Sequence, residues 1–193
     1  MTITRRALGV GTLGALLAMI AFVLGIGSEA SPAAGARRAA SARLTDAAGN
    51  HVGTVKFTPG PGGGTAVRLS AEGLTTGFHG FHVHAVGQCV PPFTSAAGHL
   101  NPTAAPHGDH AGDMPPLLVA QDGTAKAWFT TDRFTVPDLM DSDGSAVIVH
   151  AGPDNLANIP TRYHSHTYDV FGPDQDTLAT GDAGGRVACG VVQ

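Results

Sequence analysis

The sequence predicts an all-β sandwich or barrel of eight short strands with two long loops. Short strand-like runs alternate with turn signals, glycine and proline are plentiful (27 and 13 residues), and no run favours a convincing helix. Two connections, 85–116 and 151–184, are long for a compact domain, and such loops are usually functional. The predicted strands are 41–44, 51–58, 65–70, 78–84, 117–120, 125–130, 146–150 and 186–192.

Each strand prediction rests on local patterning. The first two runs flank Asp46–Asn50, a hairpin-like connection, and PGPGGG ends the second run. The third alternates Val67 and Leu69 with Arg68. The fifth and sixth flank a Gln-Asp-Gly-Thr turn at 121–124, which is a strong hairpin signal. The seventh and eighth are apolar runs on either side of the second long loop.

Composition narrows the function classes. The chain has 193 residues, enough for one ordinary domain, with 13% charged residues and a formal net charge of −4. No basic patch of the kind that nucleic-acid binding needs is present. Ten histidines are many for this length, and they cluster.

The first thirty residues form a separate segment. Arg5 and Arg6 precede an uncharged, mostly apolar run at 7–26, and Ser28 and Ala30 are small residues at the −3 and −1 positions of a cleavage site. This predicts a signal peptide at 1–30, hence export to the periplasm, the outside or the cell envelope. The apolar run is also long enough to span a bilayer, so an uncleaved membrane anchor is the alternative. Residues 31–40 predict a flexible linker, and 41–193 the folded domain.

The two cysteines fit export. Cys89 and Cys189 lie 100 residues apart, and in an oxidising compartment such a pair should form a disulfide. Two free buried thiols are the alternative.

The octet GFHGFHVH at 77–84 carries the first metal hypothesis. Side chains at i and i+2 of a strand share a face, so His82 and His84 face one side while Phe81 and Val83 face the other. Two imidazoles on the same face of one strand can bind one metal ion, and histidine is the commonest metal ligand. Two half-exposed polar residues are the alternative.

The loop HLNPTAAPHGDHAGD at 99–113 carries the second metal hypothesis. His99, His107, His110 and Asp113 follow one another at offsets of 8, 3 and 3, and three imidazoles with one carboxylate suit a closed tetrahedral zinc site. A polar, histidine-rich surface loop is the alternative. His150 ends an apolar strand and taken alone reads as a structural histidine.

Four motifs in order resemble copper/zinc superoxide dismutases. They are GFHGFHVHAVGQC at 77–89, HLNP and HAGD within 99–113, VIVHAGPD at 147–154, and GDAGGRVACGVV at 181–192. The resemblance covers essentially all of 41–193. It implies an eight-stranded Greek-key barrel and the disproportionation of superoxide to oxygen and hydrogen peroxide.

The resemblance also implies residue roles. Copper would be bound by His82, His84, His99 and His150, and zinc by His99, His107, His110 and Asp113. His99 would therefore bridge the metals and help deliver a proton. Asp154 would link a copper histidine to a zinc histidine, Arg186 would orient the anion, His79 would be structural, and Cys89 and Cys189 would form the family disulfide.

Two departures from the family pattern stand out. Only two residues separate His107 from His110, where many relatives have a longer insert, so zinc geometry or affinity is expected to differ. The 151–184 loop is acidic, with Arg162 its only basic residue against five aspartates, so weaker attraction of an anion is expected. The pair His164 and His166 predicts a solvated loop, with capture of an extra metal as the alternative.

Three other functions fit the sequence less well. A copper-delivery protein would not need the full bridging set or Arg186. A structural β-domain that binds metal incidentally would not show four motifs in order. A zinc hydrolase needs an open coordination position, whereas this zinc set is closed. A monomer and a homodimer both remain open.

Overall fold

The computed structural model describes residues 39–193. The predicted signal peptide or anchor at 1–30 and most of the predicted linker therefore lie outside the described residues. Within 39–193 no helix has the length and apolar character needed to cross a lipid bilayer.

Residues 39–193 form eleven strands and one short α-helix. The eight predicted strands are all present, one of them divided in two, and two further strands of two residues each lie in the second long loop. The elements are β1 Ala40–Asp46, β2 His51–Pro59, β3 Thr65–Ala71, β4 Gly77–His79, β5 Phe81–His84, β6 Leu117–Val119, β7 Ala125–Thr131, β8 Ala146–His150, β9 His164–Ser165, β10 Val170–Phe171, α1 Gln175–Thr180 and β11 Arg186–Val191.

Seven of these strands make one antiparallel sheet in the order β5-β8-β11-β1-β2-β3-β7. The last strand, β11, pairs beside β1, and β1, β2 and β3 follow one another, which is a Greek-key arrangement. A small sheet of β4 and β6 continues from both edges, because β4 leads directly into β5 and a hydrogen-bonded turn at 120–124 joins β6 to β7. The all-β prediction is confirmed.

Alternating burial places the core inside the curled sheet. In β3 the side chains of Thr65, Val67, Leu69 and Ala71 are buried, and the residues between them are half-buried or exposed. Phe57 from β2 joins them and packs edge-on against a second buried ring. Each large apolar side chain removed from water in this way contributes about 1.5–3 kcal/mol.

The prediction of one strand over 78–84 is wrong, because the chain bends at Gly80. A Cβ atom there would lie 2.6 Å from the Cβ of Ala183, which is closer than two carbons can approach. The backbone of Gly80 bonds to His150 and Gly152 instead of continuing either sheet. β4 therefore pairs with β6, and β5 pairs with β8.

The expectation of no helix is wrong at one place in the second long loop. Helix α1 is only six residues long, too short to show an apolar period. Asp174 caps it by accepting a hydrogen bond from the backbone N–H of Thr177 at 3.0 Å. Gly181 ends it with a φ of 60°, a conformation that favours glycine.

The predicted disulfide is confirmed. Cys89 and Cys189 are bonded, and the bond ties the loop that follows β5 to strand β11. Closing a loop of 100 residues is worth roughly 4–5 kcal/mol in the chain-entropy account.

Candidate metal centre

Strand pairing brings three histidines together at one end of the sheet. β5 pairs with β8, so His82 and His84 lie beside the strand that ends at His150. Phe81 and Val83 join the apolar core, and the two histidines occupy the opposite face, as alternation predicts. His99 reaches this face because its backbone forms an isolated bridge with His84. One nitrogen from each of these four imidazoles lies within 4.8 Å of the others.

Hydrogen bonds fix which nitrogen of each ring faces the group. His84 donates from Nδ1 to the carbonyl oxygen of Ala97 at 2.9 Å, and His150 donates from Nδ1 to that of Gly184 at 3.1 Å. Their Nε2 atoms are left facing each other, 3.3 Å apart. His82 instead uses Nε2, so its Nδ1 remains buried, with no hydrogen-bond partner among residues 39–193. A buried imidazole lone pair without a partner is what a metal ligand requires.

A second group forms around Asp113. The His99 Nδ1 lies 2.9 Å from Oδ1 of Asp113, and the His107 Nδ1 lies 3.3 Å from Oδ2. The His110 Nδ1 lies 3.1 Å from the His99 Nδ1. Backbone N–H groups of Gly108 and His110 donate to Oδ2 of Asp113, which holds the carboxylate in place. His99 thus belongs to both groups.

Asp154 connects the two groups through hydrogen bonds to one histidine of each. Its Oδ2 accepts from His82 Nε2 at 2.6 Å, and its Oδ1 accepts from His107 Nε2 at 2.8 Å. The backbone N–H of Leu156 also donates to Oδ1 at 2.7 Å. Gly181 is required here, since a Cβ atom at that position would collide with Asp154 and His107.

Burial and charge set the protonation of these groups. Burial lowers the pKa of His84 to about 2 and that of His150 to about 3, so both rings are neutral at physiological pH. Burial also disfavours the charged form of His107, but the neighbouring carboxylates of Asp113 and Asp154 outweigh it and raise the pKa to about 9. Burial would raise the pKa of both carboxyls, yet their hydrogen bonds to histidines hold it below the usual range.

An open cleft leads to the first group. Arg186 stands opposite His150 in the pairing of β11 with β8, which places its guanidinium beside the imidazoles. That guanidinium donates to the carbonyl oxygens of Phe93 and Ala97, so its position is fixed. The cleft is lined by His84, Gly98, His99, His150, Asp176, Ala179, Thr180, Asp182, Gly184 and Arg186.

The residues fit copper and zinc. Four imidazoles, two of them held neutral by burial, suit a copper ion, because imidazole binds both copper and zinc well. Three imidazoles and one ionised carboxylate match the closed ligand set of a structural zinc. The buried Nδ1 atoms of His82 and His107 have no hydrogen-bond partner in the described part of the chain, so their lone pairs are available to bind such ions.

Comparison with known proteins agrees with this geometry. The family model for copper/zinc superoxide dismutase (SODC) matches residues 51–192. The chain belongs to the copper/zinc superoxide dismutase family. It is 40% identical over 178 residues to a superoxide dismutase (Cu-Zn) of Mycolicibacterium paratuberculosis, a match that covers 86% of this chain and 78% of that protein. It is 41% identical over 178 residues to one from Mycobacterium tuberculosis, covering 85% and 72%.

Solved structures place the fold in the same family. A superoxide dismutase-like protein from Bacillus subtilis superposes with a TM-score of 0.61 at 29% identity, covering 78% of this chain and 96% of that one. The clock protein EA4 superposes with a TM-score of 0.64 at 28% identity, covering 80% and 92%. The family barrel therefore accounts for the sheet order described above.

Four histidines stand apart from the superoxide dismutase centre. Among residues 39–193, the side chains that could hold a metal form three overlapping groups, and none includes His51, His164 or His166. His164 bonds to Asp169 at 3.0 Å on an exposed ribbon, as a solvated loop predicts. His79 is buried, with its ring nitrogens 2.7 and 2.8 Å from the carbonyl oxygens of His150 and Thr75, so it is structural.

Several functional positions carried no signal in the sequence. The carbonyls of Ala97 and Gly184 orient ligand rings, yet any residue type supplies a carbonyl. Gly181 is one of 27 glycines, and only its distance from Asp154 reveals its role. Arg133 contacts the loop that holds His107 and His110, from a position 23 residues further along the chain.

Proposed function

We propose that this protein is a superoxide dismutase that converts two superoxide anions and two protons to oxygen and hydrogen peroxide. The observation that carries the proposal is the first histidine group: four imidazole nitrogens converge on one point beside a cleft that Arg186 lines. The curated relatives are named as superoxide dismutases (Cu-Zn), which supports the same reaction here.

The ring orientations support a ligand assignment atom by atom. We assign copper to Nδ1 of His82, Nε2 of His84 and His150, and the cleft-facing nitrogen of His99. Zinc is assigned to Nδ1 of His99, His107 and His110 with a carboxylate oxygen of Asp113. His99 is then the bridge between the two ions, and Asp154 holds the outer nitrogens of His82 and His107. Such outer partners fix ring orientation and raise ligand basicity.

Bound copper would supply reversible one-electron chemistry, and zinc would supply none. The chain's own residues bring in and place the anion. Arg186 keeps its positive charge throughout the working pH range, and two carbonyl oxygens fix its guanidinium at the cleft. It can therefore orient a small anion against the imidazole group without moving.

His99 is placed to hold a proton. Its Nδ1 faces Asp113 and the zinc group, and the residue also lines the cleft beside the copper group. The His99 side chain is 3% exposed and lines the cleft, so we expect a proton on its other ring nitrogen to pass directly to an anion bound there. Asp113 keeps the ring aligned during such a transfer.

The test is disproportionation of superoxide by the purified protein, first loaded with zinc alone and then with zinc and copper. We expect activity only with copper, and its loss in His150→Ala. His166→Ala is the matched control, since it removes an imidazole outside both groups. A folded protein that holds both metals and shows no activity would contradict the proposal and favour copper handling.

The Arg186→Ala variant tests whether Arg186 acts on the anion and not on metal binding. We expect the rate to fall by at least about tenfold while both metals are retained, because the guanidinium attracts the anion and binds no metal. Rate and metal content are measured on the same sample. A parallel loss of metal would show that Arg186 serves the fold and not the substrate.

We also propose that residues 41–193 are the catalytic domain and that residues 1–30 direct export. The disulfide supports export, since such bonds persist in oxidising compartments. N-terminal sequencing of the cell-envelope protein should find a start after Ala30. A start at residue 1 would instead favour membrane anchoring through residues 7–26. Sedimentation distinguishes a monomer from the homodimer that the sequence leaves open.

A further inference from the structure

The turn that carries two zinc-group histidines is held on its inner side by a carboxylate. Only Gly108 and Asp109 separate His107 from His110. The backbone N–H groups of Gly108 and His110 donate to Oδ2 of Asp113, at 2.8 and 3.1 Å. These bonds fix the N–H side of the turn and leave its carbonyl oxygens facing outward.

Arg133 holds the outer side of the same turn. Its Nη1 donates to the carbonyl oxygens of Gly108 at 2.8 Å and His110 at 3.0 Å, and its Nη2 lies 3.3 Å from Oδ1 of Asp109. The two carbonyl bonds are charge-assisted, which makes them stronger than neutral ones. The ion pair counts for less, because the Asp109 side chain is 75% exposed and water screens it.

The backbone of Arg133 is attached to the barrel core. Its neighbour Phe134 is 3% exposed and packs edge-on against Phe57, with ring centroids 6.1 Å apart. The carbonyl oxygen of Phe134 accepts a hydrogen bond from the hydroxyl of Thr65 at 2.9 Å. A short 3-10 turn, Val136–Met140, follows, with a capping box between Thr135 and Asp138. Arg133 therefore projects from a rigid support.

We propose that Arg133 is a positioning residue for zinc, which ties the short ligand turn to the barrel so that His107 and His110 keep their spacing. The inference rests on the zinc assignment above. The Nη1 of a planar guanidinium holds two N–H donors in fixed directions, one for each carbonyl oxygen, whereas a lysine ammonium is a point charge on a flexible stem. A turn this short has few internal bonds, so an external tie to its carbonyls takes the place of a longer insert.

The test is the rate at which zinc leaves the copper- and zinc-loaded protein to a chromophoric chelator. We expect Arg133→Ala to speed zinc release by about 10–100-fold, the usual range for loss of a partner behind a ligand. Arg133→Lys should recover only part of this loss. Asp109→Asn is the matched control: it removes the ion pair, keeps both carbonyl bonds, and should release zinc within about twofold of wild type.

A second readout separates positioning from general stability. Cobalt(II) placed in the zinc site has a visible spectrum that reports ligand geometry, and we expect this spectrum to change in Arg133→Ala and not in Asp109→Asn. Copper retention and the unfolding midpoint of the metal-free protein should match wild type in both variants.

Three results would overturn the inference. They are zinc release at the wild-type rate in Arg133→Ala, equal acceleration in Asp109→Asn, and loss of copper together with zinc. Failure of the zinc assignment itself would look different, because His110→Ala would then bind zinc as tightly as wild type.

Discussion

Asp154 hydrogen-bonds to one histidine of each metal group, and its replacement by alanine should weaken zinc binding more than copper binding. The carboxylate is 1% exposed and accepts one hydrogen bond from His82 and one from His107. Removing it frees both rings, but their supports differ. His82 lies in β5, paired opposite Ile148 of β8, whereas His107 lies in a loop and depends on a backbone bond to Leu178.

The expected loss of metal affinity follows from the two N–H groups, on His82 and His107, that would lose their acceptor. A buried donor left without an acceptor costs about 1–3 kcal/mol, and loss of an outer partner typically lowers metal affinity by about 10–100-fold. At about 1.4 kcal/mol per factor of ten, the two figures agree. For zinc we expect the full 10–100-fold loss, because His107 can swing away with its loop. For copper we expect less than about tenfold, because the strand keeps His82 in place.

Competition with chelators of known affinity measures both metals in Asp154→Ala. Asp169→Ala is the matched control, since Asp169 also bonds to a histidine, His164, at 3.0 Å, but on the surface. The control should bind both metals as wild type does. Equal losses at the two sites, or a loss confined to copper, would refute the argument that the strand holds its ligand more firmly than the loop.

Three further predictions concern protons, the cleft and the disulfide. The pKa of His107 is raised to about 9, so its ring is protonated at pH 7.5 in the metal-free protein. Zinc binding at pH 7.5 should therefore release a proton that is not released well above pH 9. Calorimetry in buffers of different ionisation enthalpy measures this proton release, and equal release at the two pH values would contradict the prediction. Asp176→Asn removes a negative charge from the cleft wall and should raise the rate about twofold at low ionic strength; a gain that persists at high salt would rule out steering. Replacing Cys89 and Cys189 by serine should lower the free energy of unfolding by about 2–5 kcal/mol in urea titrations, with the chain-entropy figure at the upper end, and an unchanged midpoint would contradict this prediction.

Local patterns were enough to predict much of the sheet. The alternation in β5 correctly assigned Phe81 and Val83 to the core and the two histidines to the other face. The turn signal at 121–124 lies where a hydrogen bond between Ala120 and Thr124 closes the connection from β6 to β7. Both features depend only on residues a few positions apart, which is why the sequence alone predicts them.

Features that depend on distant neighbours were missed. The break between β4 and β5 lies at Gly80, where a side chain would collide with Ala183, more than one hundred residues away, and nothing near position 80 indicates this contact. Helix α1 depends on its cap, and Asp174 is one of several aspartates in an acidic loop. His150 shows the same limit within the site: its own surroundings suggested a structural histidine, and only the family resemblance assigned it to copper.

The carbonyl oxygen of Ala97 shows how closely metal and substrate positions are coupled. It accepts from Nδ1 of His84 and also from the guanidinium of Arg186, so one atom orients a proposed copper ligand and the residue that we propose binds the anion. The disulfide ties the loop containing Ala97 to β11, the strand that carries Arg186. Movement of this loop would therefore displace both positions at once. It follows that reduction of the disulfide should lower copper affinity and rate together, whereas Arg186→Ala should lower the rate alone.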